Sequence, residues 1–362
     1  METKTAECVA REITARTGNL RVVAIGGGTG LSTLLKGLKR FVLTPSEIVA
    51  AQPGSPVICD LSAVVTVSDD GGSSGRLRKE LNMLPPGDIR NCIVALSEDE
   101  ALLSKLFRHR FDKGSGLEGH SFGNLFLAAL TSLTSDFSEA VRLSSEILLT
   151  RGHIYPATTS NIELEALMED GTHVRGETKI TASKGRIREL FLVPPHVDPM
   201  PQTLEAIAHA NLITIGPGSL FTSLIPNLLV KGISQAIVES KATKVYICNL
   251  MTQANESLGL TAADHIRALN RHAQGQIFDY ALLNHTPASD DMKAKYAQEG
   301  ACQIVNDLEA IEAMGVIPVL GDYLEEAGVA RHNFTRAAHD VLGLATQTPS
   351  GRLRKAPPDY RN

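Results

Sequence analysis

The chemistry of this chain starts at Gly26-Gly27-Gly28-Thr29-Gly30, with Ser32 close behind. A glycine loop between a strand and a helix lets backbone N–H groups approach a phosphate, and the helix N-terminus adds a partial positive charge. The loop lacks the dinucleotide spacing, since Leu31 or Thr33 stands where the last glycine belongs. Nor does an acidic residue close a second strand at the usual separation of about 20 residues, so hydride transfer with a nicotinamide cofactor is disfavoured. No Walker lysine follows, which argues against a P-loop NTPase. The plain alternative is a tight strand–helix turn.

A second motif, Asp69-Asp70-Gly71-Gly72-Ser73-Ser74-Gly75, falls where another strand should end. Ligands in open α/β sheets sit beyond such strand ends. Two carboxylates there suit Mg²⁺ or ribose hydroxyls, although successive residues rarely point the same way. The competing reading is a helix cap with a solvated turn. Gly216-Pro217-Gly218-Ser219, followed by Thr222 and Ser223, repeats the strand–glycine–helix pattern. Two such cradles at neighbouring strand ends suggest one pyrophosphate-bearing ligand gripped by both. Pro85-Pro86-Gly87-Asp88 reads as a turn into a helix, with Arg90 and Asn91 near it. In Gly119-His120-Ser121-Phe122-Gly123-Asn124, Asn124 is read as a ligand contact and His120 as structural; His120 and Asp88 are loose candidates for a base. Weaker candidates are Asn249–Gln253, Asp264-His265 (read as surface or capping) and Arg331-His332.

The elements that must carry these motifs follow from hydrophobic period. Arg21–Gly27 and Leu61–Val67 read as buried strands, and Leu31–Phe41 as the helix after the first. Residues 44–56 read as an irregular insertion, and 75–150 as helical. Between about 153 and 199, alternating runs separated by Gly171 and Gly185 predict a small antiparallel sheet. Strand–helix alternation then resumes to a last helix near Asn333–Leu344. The expected fold is α/β: a Rossmann-like, mostly parallel sheet flanked by helices, with a β-rich insertion. Its expected extent is 20–345, after a polar extension at 1–19 and before a disordered tail at 346–362.

Of 362 residues, 43% are hydrophobic and 21% charged, which excludes global disorder. A net charge of -5 and 4% aromatics without tryptophan argue against a nucleic-acid binder. Five scattered cysteines suggest neither a zinc ribbon nor a disulfide scaffold. With no signal peptide or membrane-spanning window read from the sequence, the expectation is a cytoplasmic protein without membrane insertion.

Taken together, IGGGTGLSTLLKGL, VTVSDDGGSSGRLRKEL, LPPGDIRNCIVAL, GHSFGNLFLAAL and IGPGSLFTSLIPNLLV, in this order, resemble the bacterial gluconeogenesis-factor (YvcK-like) family of the CofD-like superfamily. The resemblance covers about Arg21 to Ala338. It implies a regulatory protein that binds UDP-sugars such as UDP-N-acetylglucosamine and is needed for cell shape under gluconeogenic growth. It places Gly27, Gly28, Thr29, Gly30, Asp69, Asp70, Gly72, Ser73, Asn124, Gly216, Gly218, Ser219 and Arg331 around the ligand. It also implies an unidentified protein partner in cell-envelope regulation, and a homodimer is compatible with it. No catalytic residue and no required cofactor are assigned. The alternative resembles 2-phospho-L-lactate transferase, a phosphoryl-group transferase using Mg²⁺. Two departures stand out: Leu260 replaces the family's tyrosine before Asp264-His265, and Asn333 replaces an aspartate after Arg331-His332.

Overall fold

β-Branched and aliphatic runs build the centre of the molecule. The computed structural model describes residues 18–44, 47, 56–98, 102–183 and 185–346. In chain order its strands are β1 (Gly18–Gly26), β2 (Pro56–Val65), β3 (His153–Pro156), β4 (Glu163–Met168), β5 (His173–Arg175), β6 (Ile187–Val193), β7 (Leu212–Ile215), β8 (Thr243–Ile247), β9 (Tyr280–Asn284), β10 (Ile317–Gly321), β11 (Leu324–Glu326) and β12 (Ala330–His332). Seven of them form one parallel sheet in the order β10-β9-β8-β7-β1-β2-β3. Strands of a parallel sheet covered by helices on both faces must be apolar throughout. Accordingly Val22, Val23, Ala24 and Ile25 of β1 and all four residues of β7 are buried.

The chain starts in the middle of this sheet. From β1 it moves outward through β2 to β3, then returns to β7 on the other flank and moves outward again to β10. The order therefore reverses between β1 and β7, and a crevice opens beyond their carboxyl ends. The first helix, Gly28–Lys39, buries Leu31, Leu34, Leu35 and Leu38. Their i, i+3, i+4, i+7 spacing puts them on one stripe, and each is worth about 1.5–3 kcal/mol when fully buried.

The β-rich insertion divides in a way the alternation did not reveal. His153–Pro156 belongs to the main sheet, parallel to β2, while β4, β5 and β6 make the separate antiparallel sheet in the order β5-β4-β6. A short run of alternating residues looks the same on a parallel edge strand as on an antiparallel one. β2 ends at Val65, two residues before the expected boundary, which leaves Thr66–Gly71 as loop. Gly18 and Asn19 already belong to β1 and Thr346 to the last helix, Phe334–Thr346; residues 1–17, 347–362 and most of 44–56 lie outside the described residues. Among the described residues no single helix is long and apolar enough to cross a membrane.

Candidate functional site

The two glycine turns meet. A Cβ built on Gly30 would stand 2.2 Å from the carbonyl oxygen of Pro217 and 3.1 Å from the nitrogen of Gly218. Only glycine permits that approach, because the obstruction is backbone. Gly28 opens the helix at φ +63°, the left-handed region that glycine enters freely. Gly27 precedes it in extended backbone and gives the helix no side-chain cap, so its first N–H groups look outward for partners. Thr29 is exposed on this lip, its carbonyl taken by the hydroxyls of Ser32 and Thr33.

One of those partners is already present. Asp88, in the first turn of helix Gly87–Leu96, accepts a hydrogen bond from the Gly28 N–H. Its Oδ2 would lie 2.9 Å from a Cβ on Gly27, so it sits under the loop. Burial, reinforced by the charge of Asp69, pushes the Asp88 carboxyl up to about 6 against the pull of Gly28 and Arg90. The sequence had offered Asp88 only as a turn residue and a loose base.

The carboxylates after β2 part company. Asp69 accepts the N–H of Gly71 at 2.9 Å, and its Oδ2 would be 3.0 Å from a Cβ on Gly87. It therefore faces the same space as Asp88. Asp70 turns the other way, accepting the N–H and hydroxyl of Thr178 at 2.8 and 2.5 Å. It ties the small antiparallel lobe to the sheet. Behind it the lobe sends in Glu177, whose carboxyl is pushed up to about 9 by burial first and then by Asp69, Asp88, Asp70 and Glu256. Sequence reading missed Glu177, and its only signal was the Gly-Glu-Thr turn between two strands.

Helix Gly72–Leu81 begins without a side-chain cap, and Ser73 sits in its first turn. The Ser73 hydroxyl joins His120 Nδ1 at 2.9 Å and accepts from Asn124 Nδ2 at 3.1 Å. Asn124 is 2% exposed and its Oδ1 has no partner. His120 is held below its ordinary pKa by burial and then by Arg76, so it is a neutral ring at pH 7. Beside this triad opens a cavity of about 680 Å³, with Gly72 and Ser73 on one side and Arg76, Arg110 and Gly116 on another. Arg76 and Arg110 each spend one nitrogen on a backbone carbonyl, of Glu118 and Gly119.

The second turn is more occupied than its sequence suggested. Gly216 takes φ +89°. The Gly218 N–H is bound to Asn249 Oδ1 at 3.0 Å, and Asn249 Nδ2 returns a bond to the Gly218 carbonyl at 2.8 Å. Beyond it, Glu256 accepts the N–H groups of Phe221 and Thr222 at 2.8 and 3.0 Å, and hydroxyls of Ser219 and Thr222 add to these. Gln253 Nε2 donates to Ser219 Oγ at 2.8 Å. Glu256 is 6% exposed, and burial raises its pKa despite these donors. A carboxylate of the chain thus takes the first N–H groups after the Gly216–Ser219 turn, as Asp88 takes that of Gly28 in the glycine loop. Arg331 is exposed on the β11–β12 hairpin, while its neighbour His332 donates to the Cys248 carbonyl at the end of β8 at 2.9 Å. Asp264 forms a capping box with Thr261, and His265 is buried against Tyr246 at 2.8 Å.

No three or more His, Cys, Asp or Glu side chains among the described residues are grouped to hold a metal ion. With Asp70 engaged by Thr178, the residues present do not build a Mg²⁺ site, and no step below runs through one.

A seven-stranded parallel sheet whose order reverses between β1 and β7 defines a Rossmann-like α/β protein. The profile of the family described as 2-phospho-L-lactate transferase CofD matches residues 22–324, and the chain belongs to that family. Among its relatives, a gluconeogenesis factor from Halalkalibacterium halodurans is 48% identical over 331 residues, covering 91% of this chain and 98% of the relative. The gluconeogenesis factor of Bacillus subtilis is 47% identical over 326 residues, covering 90% and 98%. A crystal structure of a UPF0052 family member from Bacillus halodurans superposes with a TM-score of 0.83 at 47% identity, covering 90% of this chain and 99% of that one.

Proposed function

We propose that the protein is a gluconeogenesis factor: a cytoplasmic, nucleotide-sugar-binding regulator of cell shape during gluconeogenic growth. Its ligand is of the UDP-N-acetylglucosamine class. The observation that carries this reading is the junction of the two glycine turns at the point where the strand order reverses, with Gly30 against Pro217. The uncapped starts of helices Gly28–Lys39 and Gly72–Leu81 supply N–H donors to the diphosphate. The 680 Å³ cavity lined by Ser73, Arg76 and Arg110 is large enough for the sugar.

Calorimetry with UDP-N-acetylglucosamine, UDP-glucose and UMP, followed by chromatography of the incubated nucleotide, tests it. Tighter binding of the nucleotide-sugars than of UMP, with the nucleotide recovered intact, is the expected result. No binding of either nucleotide-sugar would overturn it. Release of UMP or UDP would favour the second reading, a phosphoryl-group transferase. That reading has one specific support: a carboxylate of pKa about 6, bonded to the Gly28 N–H, that would act as a general base near neutral pH.

A further inference from the structure

A parallel sheet is ordinarily covered by apolar packing on both faces. One face of β1–β2–β3 breaks that rule, at the end of the strands opposite the glycine loop. Arg21 on β1 is the register partner of Asp60 on β2, and Ser62 that of His153 on β3, with Tyr155 two residues further along. Helix Pro201–His209 passes over these residues, and between helix and strands lies a groove of about 430 Å³. Small-molecule sites typically span about 300–1,000 Å³.

A bulge shapes the groove. Leu20 pairs with Ile58 but Arg21 pairs with Asp60, so Cys59 is an extra residue in β2. Bulges re-aim side chains and gather beside functional sites. This one brings Asp60 into the groove with Arg21 and Ser62. Asp60 from the floor and Glu205 from the helix both act on Tyr155, whose phenol is pushed up by burial and then by these two charges. The Tyr155 and His153 rings stack, 5.9 Å apart and 5° from parallel. Asp60 accepts from the Ser62 hydroxyl at 3.4 Å and Arg21 bonds to the Cys59 side chain, but among the described residues Arg21, Asp60 and Glu205 form no salt bridge with one another.

Two carboxylates and one guanidinium without salt-bridge partners in a polar groove suit a ligand with two cationic groups and one carboxylate. We propose that the groove binds a free basic α-amino acid of the lysine, ornithine or arginine type. Its carboxylate lies on Arg21, its cationic groups on Asp60 and Glu205, and its aliphatic stem on Tyr155.

Thermal unfolding of the full chain with millimolar lysine, ornithine or arginine, at matched ionic strength, tests the proposal. A ligand bound only by the folded state raises the midpoint by mass action. At least one of the three is expected to do so. Norleucine, which lacks the terminal charge, and cadaverine, which lacks the carboxylate, should each raise it less. Glu205→Gln and Arg21→Gln, both at exposed positions, should each weaken the binding seen by calorimetry about tenfold, the effect of losing one charge-assisted contact. Urea midpoints of the two variants confirm that they fold. No rise with any of the three amino acids overturns the proposal. So does cadaverine acting as well as lysine, or unchanged affinity in both variants.

Discussion

The Asp88→Asn variant should be more stable than the parent above pH 6 and indistinguishable from it near pH 4. The carboxyl rises from its ordinary 3.8 to about 6 in the folded protein. That is about 2 units, and at about 1.36 kcal/mol each it amounts to about 3 kcal/mol. A raised acid binds its proton more tightly folded than unfolded. Stability is therefore complete below pH 3.8, falls through the window up to about 6, and stays reduced above it. Asparagine carries no charge to bury and still offers Oδ1 to the Gly28 N–H. The raised value already includes the pull of the Gly28 bond on the charged form, so the expected gain at pH 8 is the whole of about 3 kcal/mol. Urea unfolding of both ligand-free proteins across pH 4 to 8, with equal m-values, measures it. A variant less stable than the parent at pH 8, or a difference that does not change with pH, would refute the account of the cleft as a crowded set of buried acids. If a diphosphate enters beside Asp88, the same substitution removes a like charge and should tighten nucleotide-sugar binding.

Two further substitutions probe the second turn and the lobe. Glu256→Ala leaves the N–H groups of Phe221 and Thr222 without their acceptor, which should cost about 1–3 kcal/mol for each group left unsatisfied, read from the urea midpoint. Asp70→Ala removes both bonds to Thr178, so hydrogen exchange should speed up over Glu177–Ala182 while β1 and β7 keep their protection.

How much of the site could be read from the sequence depended on how local each interaction is. The glycine loop was legible because strand, Gly-rich turn and leucine-striped helix are neighbours in sequence, and each needs only its own residues to declare itself. Asp69 and Asp70 were legible as a pair and indistinguishable as individuals. What separates them is Thr178, which lies 108 residues from Asp70. Nothing local marks Glu256, which lies across the N–H groups of Phe221 and Thr222, 35 and 34 residues away. Period alone did not distinguish the edge strand β3 from the antiparallel lobe, because four residues contain no trace of the strand they will pair with.

Composition and pattern were enough to set the α/β class, the two glycine turns and their place after strands, since backbone freedom and apolar burial act over a few residues. Which N–H groups stay open to a ligand was settled only when distant carboxylates arrived in three dimensions. Asp88 took the Gly28 amide and Glu256 took those of Phe221 and Thr222. Burial, a property of the packed whole, then set how readily those acids hold their protons.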